Sequence, residues 1–274
     1  MKSVNKIQVA VIAGAFVLVV LLLLLNTKLP QKNEQAAVTT TASVTDVNKF
    51  VENIIASLDK TQKQEFVKLE KKLSSSANKQ KAFEEIIHFF DSARQPIVAA
   101  YYMEQTASAI PTDSNWTYAG ARYYSAIQFS KSENHAMLYQ KAIQCFEKTI
   151  EINPNNTDAK ISLAACYVEG STDPMKGIGM LREIEKTDSN NVNLQLNFAF
   201  FSERSGQWDK AIARFEKILK IKPDFIEAYL HLADAYQQKG DKTNAIENLK
   251  QYMNKVDDTT IKAEVQNYIN KLSL

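Results

Sequence analysis

The side chains that could hold a metal or act as a nucleophile are few: three histidines and two cysteines in 274 residues. His88, His135 and His231 are widely separated, so no two stand at the i, i+4 spacing that puts two imidazoles on one helix face. No Cys-x-x-Cys pair is present for zinc. There is no Gly-x-x-x-x-Gly-Lys loop to cradle a phosphate, and no Gly-x-Ser-x-Gly elbow to expose a serine. Glu183, Glu185, Glu216 and Glu247 interleave with Lys and Arg, the pattern of a solvated helix face. His88 beside Phe89 and Phe90, and His231 before Leu232, read as packing or surface side chains, and His135 falls in an insertion at 130–136 read as a loop. Cys145 and Cys166 read as two small buried thiols on neighbouring helices, with a disulfide in an oxidising compartment as the alternative. These spacings predict no catalytic residue, no metal site and no cofactor. The chain reads as a binding protein, not an enzyme.

The elements that carry these residues recur with a period of about 34 residues. Phe198, Ala199, Gly206, Ala211, Phe215, Ile218 and Pro223 form the clearest unit. Leu232, Ala233, Tyr236, Gly240, Ala245 and Leu249 follow at the same offsets, with Asp257 where the proline stood. Leu163, Ala164, Tyr167, Gly177 and Leu181 form an earlier copy, preceded by Trp116, Ala119, Gly120, Tyr123, Ala142, Phe146 and Pro154. The weakest copy has Phe83, Ile86, Ile87, Phe90, Ala99, Met103 and Pro111. Each landmark has a packing reason. Small residues sit where two helix backbones approach, and aromatic rings fill the space beside them. Glycine ends a first helix in a left-handed conformation, and proline stops a second helix.

Period, residue types and helix–turn–helix rhythm resemble the tetratricopeptide repeat. The resemblance implies an all-α fold: a right-handed superhelix of about five repeats at 80–112, 113–156, 157–191, 192–225 and 226–259. One hairpin cannot bury its apolar face alone, so neighbours must stack. Residues 260–274, with Ile261, Val265, Tyr268, Ile269 and Leu272 at helical spacing, read as an amphipathic cap on the last repeat.

The other end of the chain is of a different kind. Residues 7–25 read IQVAVIAGAFVLVVLLLLL, with Gln8 the one polar side chain. At about 1.5 Å per residue this run reaches roughly 28 Å, close to a bilayer's hydrocarbon core. It is longer than the apolar core of a secretory signal and has no small-residue cleavage site at its border, so it reads as an uncleaved transmembrane anchor. Lys2 and Lys6 favour a cytoplasmic tail at 1–6, placing the protein in the inner (plasma) membrane with its repeats outside the cytoplasm. Residues 26–45, rich in Thr, Ala, Gln and Asn, read as a flexible stalk. Residues 46–79 read as N-terminal helices, with Asp46 as an N-cap. Those helices either cap the superhelix, pair with another chain into a homo-oligomer through 46–73, or fold into the protein's own groove.

Thirty-three basic and 31 acidic residues give a net charge of +2, interspersed along the sequence, with no basic stripe for a nucleic acid. What remains is protein binding. The resemblance implies that the first helix of each repeat lines a concave groove, and carried over position by position it assigns Tyr124, Ile161, Ala165, Leu196, Phe200, Arg204, Leu230 and Asp234 to that groove. Ile161, Leu196 and Leu230 occupy positions where some members hold a terminal carboxylate with polar side chains. An apolar row with a polar rim suits an apolar helix or extended segment instead. Residues 173–253 look similar to the repeat half of membrane-anchored assembly factors of c-type cytochrome maturation. The expected function is therefore a membrane-anchored interaction scaffold or adaptor in the cell envelope. The alternative is a chaperone-like holder of an unfolded client during envelope or cytochrome c assembly.

Overall fold

In the computed structural model the described residues are 46–171 and 173–273. The expected tail, anchor and stalk at 1–45 lie outside them. Among the described residues there are thirteen α-helices, two 3₁₀ turns and no strand. None of these helices is long and apolar enough to cross a membrane.

Two helices, α1 (Val47–Ser57) and α2 (Lys60–Ser75), precede five helical hairpins. The hairpins pair α3 (Lys79–Ser92) with α4 (Pro96–Ala109), α5 (Asp113–Ala126) with α6 (His135–Ile152), and α7 (Thr157–Gly170) with α8 (Pro174–Thr187). They continue as α9 (Val192–Arg204) with α10 (Trp208–Ile221) and α11 (Glu227–Gln238) with α12 (Lys242–Lys255). A last helix, α13 (Thr259–Leu272), ends the series. Consecutive helices pack along the whole row from α2 to α13, so the core is a line of inter-helix seams stacked as a superhelix.

Polar caps start most of these helices. The side chains of Thr112, Asn156, Asp173, Asn191, Asp241 and Asp258 each accept a hydrogen bond from a backbone N–H in the first turn that follows. Asp59 and Gln62 form a reciprocal capping box at α2. At the other ends, α6 and α10 each stop two residues before Pro154 and Pro223. Gly206 and Gly240 adopt φ of 68° and 80°, the left-handed turn that lets α10 and α12 fold back. Arg94 makes the same turn between α3 and α4 at φ 56° without a glycine.

The repeat landmarks lie in the seams. Ala119, Ala142, Ala199, Ala211 and Ala245 are fully buried, Ala119 and Ala142 in one cluster with Tyr123 and Phe146, and Ala199 and Ala211 in another with Phe215. A Cβ on Gly177 would come within 2.3 Å of the Ala164 carbonyl oxygen, so α7 and α8 approach more closely than alanine permits. Cys145 and Cys166 are both free, buried thiols, and burial pushes their ionisation far above the ordinary thiol range.

Three features differ from, or sharpen, the sequence expectations. The insertion is not a plain loop: a 3₁₀ turn at Ser132–Asn134 lies within it, another at Ile127–Phe129 leads into it, and His135 and Ala136 already belong to α6. The N-terminal helices lie on the first repeat, α1 against α4 and α2 against α3, rather than on the inner face of later repeats. Val47 and Val51 are the buried side chains of α1, and Phe66 anchors α2, its ring 5.3 Å from Phe90 and 6.1 Å from Tyr102, both edge-on, and stacked 6.2 Å from Phe89. At the far end α13 buries Val265 and Ile269 against the last repeat, and the Tyr268 hydroxyl donates to the Gln237 side chain of α11.

Candidate functional site

Successive first helices touch across the repeats, α5 on α7 and α7 on α9, forming one continuous inner wall. Polar side chains tie that wall together. The Tyr124 hydroxyl on α5 donates to Glu169 Oε2 of α7 at 2.8 Å, and the Tyr139 hydroxyl of α6 donates to the same oxygen at 3.1 Å. Arg204 of α9 donates to the other carboxylate oxygen. Burial first, and the Glu169 charge second, push the Tyr124 and Tyr139 hydroxyls far above the ordinary phenol range, so both remain donors. Near the start of the same helices, the Asn193 side chain donates to Asp158 Oδ1 at 2.9 Å.

Farther along, the wall is aromatic. The His231 ring of α11 stacks on Phe215 at 4.8 Å and 4° between planes, and Phe200 meets both rings edge-on, at 5.1 and 5.9 Å. His231 Nδ1 lies 3.5 Å from Glu203 Oε1, a buried oxygen with no hydrogen-bond donor.

The groove residues assigned by resemblance fall into two groups. Leu196 and Leu230 are half-buried, and Phe200 is 37% exposed, so their side chains reach the inner surface. Arg204 is exposed beside them; Asp234 is half-buried and accepts from Gln238, while Tyr124 contributes its hydroxyl to the Glu169 network. Ile161 and Ala165 are a correction. They are 2% and 4% exposed, and Ile161 packs with Ala164, Leu181 and Leu194, so both belong to the α7–α9 seam. Position-by-position transfer missed this because α7 spends its inner face on the neighbouring repeat.

Glu169 and Tyr139 were not assigned from the sequence. Glu169 lies four residues past Ala165, on the same helical face, so extending that row by one turn would have found it. Tyr139 had no such signal: it arrives from α6, across a seam opened by Gly170, where a Cβ would overlap the Tyr139 ring at 1.9 Å.

Models of the TPR repeat and the tetratricopeptide repeat match residues 204–240, 227–259 and 138–156. These segments are tetratricopeptide repeats, a class that generally mediates protein–protein contacts through an extended concave surface. Superkiller protein 3 of Schizosaccharomyces pombe is 23% identical over 152 residues, a match that covers 53% of this chain and 11% of that protein. A tetratricopeptide repeat protein from Parabacteroides merdae superposes with a TM-score of 0.54 at 14% identity, over 83% of this chain and 86% of its own. A thermophilic TPR protein from Thermus thermophilus gives 0.49 at 13% identity, over 69% and 98%. The Parabacteroides likeness is one of fold.

Proposed function

We propose that this protein is a membrane-anchored scaffold or adaptor of the cell envelope, which holds a protein partner on the inner face of its repeats. In this reading residues 1–6 stay in the cytoplasm, 7–25 cross the inner membrane, and the repeats stand outside the cytoplasm. The nineteen-residue apolar run and the lysines before it support the anchor. The observation that carries the binding role is the row Leu196, Phe200 and Leu230. These apolar side chains stay partly open on adjacent first helices, with Arg204, Glu203 and Asp234 beside them. Phe200 packs edge-on against Phe215 and His231 on one side, and an apolar helix or extended segment would cover the part of the row left open.

Capture of the full chain from detergent-solubilised membranes tests this reading. One partner recovered in stoichiometric amount is the expected result. A broad set of unfolded clients would instead favour a chaperone-like holder. Protease added to spheroplasts should digest the repeats, and protection of the repeats would reverse the topology.

A further inference from the structure

The face of α9 opposite the inner row is also open. At about 100° per residue, Phe198, Phe201, Ser202 and Ser205 share the side of the helix turned away from Leu196 and Phe200. Together they floor a cleft of about 760 Å³ between α8 and α10, the second helices of two successive repeats. Phe198 and Phe201 are half-buried, and Ile178 of α8 extends the apolar floor. The rim is cationic: Arg182 of α8 and Lys210, Arg214 and Lys217 of α10 stand against one carboxylate, Glu185. Arg214 already pairs with Glu185, and its guanidinium lies 4.6 Å from the centre of the Phe198 ring. Lys210 donates to the Gln207 side chain at 2.5 Å. Among the described residues Arg182, Lys210 and Lys217 have no carboxylate partner.

We propose that this outer cleft is a second docking site, for an acidic amphipathic segment of a partner protein. Its carboxylates would meet Arg182, Lys210 and Lys217, and one or two aromatic or aliphatic side chains would lie over Phe201 and Ile178. Charge complementarity selects this occupant. The chain's own residues 1–45 carry Lys2, Lys6, Lys28 and Lys32 against Glu34, which is the wrong sign. A nucleic-acid base is disfavoured because Arg214 lies over the Phe198 ring on which it would stack. With partners on opposite faces of α9, the domain would bridge two proteins.

The test is selection of a random peptide library on the full-length chain in detergent micelles. The wild type is compared with Arg182→Glu/Lys217→Glu and with Leu196→Ala/Phe200→Ala. The expected peptides are acidic, with at least one aromatic or aliphatic side chain. They should bind the charge-reversed variant on the order of tenfold more weakly, weaken with added salt, and bind the inner-face variant like wild type. If the charge reversal lowers the melting temperature, Arg182→Gln/Lys217→Gln replaces it, with the same expectation. Selection of no peptide that depends on Arg182 and Lys217 would overturn the proposal, as would enrichment of neutral or basic sequences. So would a single-stranded oligonucleotide, or a second copy of the chain, whose binding those two substitutions abolish.

Discussion

Gly177 and Gly179 lie two residues apart on α8 and meet opposite surroundings. A Cβ at 177 would strike the Ala164 carbonyl at 2.3 Å and Val168 at 2.7 Å, whereas one at 179 would meet nothing within 4 Å. Gly177→Ala should therefore push α7 and α8 apart and cost about 1–3 kcal/mol. Gly179→Ala removes a poor helix former without a clash and should gain up to about 1 kcal/mol. Thermal melts of the two variants check this, and equal shifts would contradict the close approach. The spacing of the repeat marked Gly177 as a packing position, but not that glycine rather than alanine is required there. That requirement comes from a carbonyl on another helix, which one sequence does not show. Arg94 was hidden for the converse reason: it makes a glycine-type turn without being glycine, held by the Gln95 N–H to Phe90 carbonyl bond.

Among the elements, α2 docks on the first repeat through one buried side chain. Phe66 is buried against Phe89, Phe90 and Tyr102, and it is the one buried side chain of that helix. Phe66→Ala should cost about 3–5 kcal/mol and loosen α2 from the first repeat, while α1 keeps its own contacts through Val47 and Val51. Urea unfolding gives the loss, and faster amide exchange confined to α2 and the part of α3 it covers gives its location. A loss below about 1 kcal/mol would mean that α2 is held elsewhere. The helical reading of 46–79 covered this helix, whereas its docking site was not legible, since the rings it meets come from two later helices. The insertion after α5 misled for a related reason. Its polar sequence reads as a loop, yet a 3₁₀ turn at Ser132–Asn134 and an early start to α6 take up the extra residues.

For the molecule as a whole, the repeat period was readable because each hairpin repeats the same packing problem, and Ala, aromatic, Gly and Pro solve it at fixed offsets. The outer cleft was not readable. Its cations come from α8 and α10, tens of residues apart, and look interspersed until the repeats stack. Of the residues assigned to the inner face, Leu196, Phe200 and Leu230 are partly exposed, while Ile161 and Ala165 are buried. An apolar row on one wall and a cationic cleft on the other give a single stacked domain two chemically distinct faces.

The inner row is where the account can fail most directly. Leu196→Ala/Phe200→Ala in the full chain keeps the helix and trims two partly exposed side chains, so melting should fall by only a few degrees. Affinity for the partner recovered with the wild type should nevertheless fall between tenfold and a hundredfold, as removal of one to two anchor contacts predicts. Undiminished affinity in a well-folded double variant would contradict a docking surface on this face.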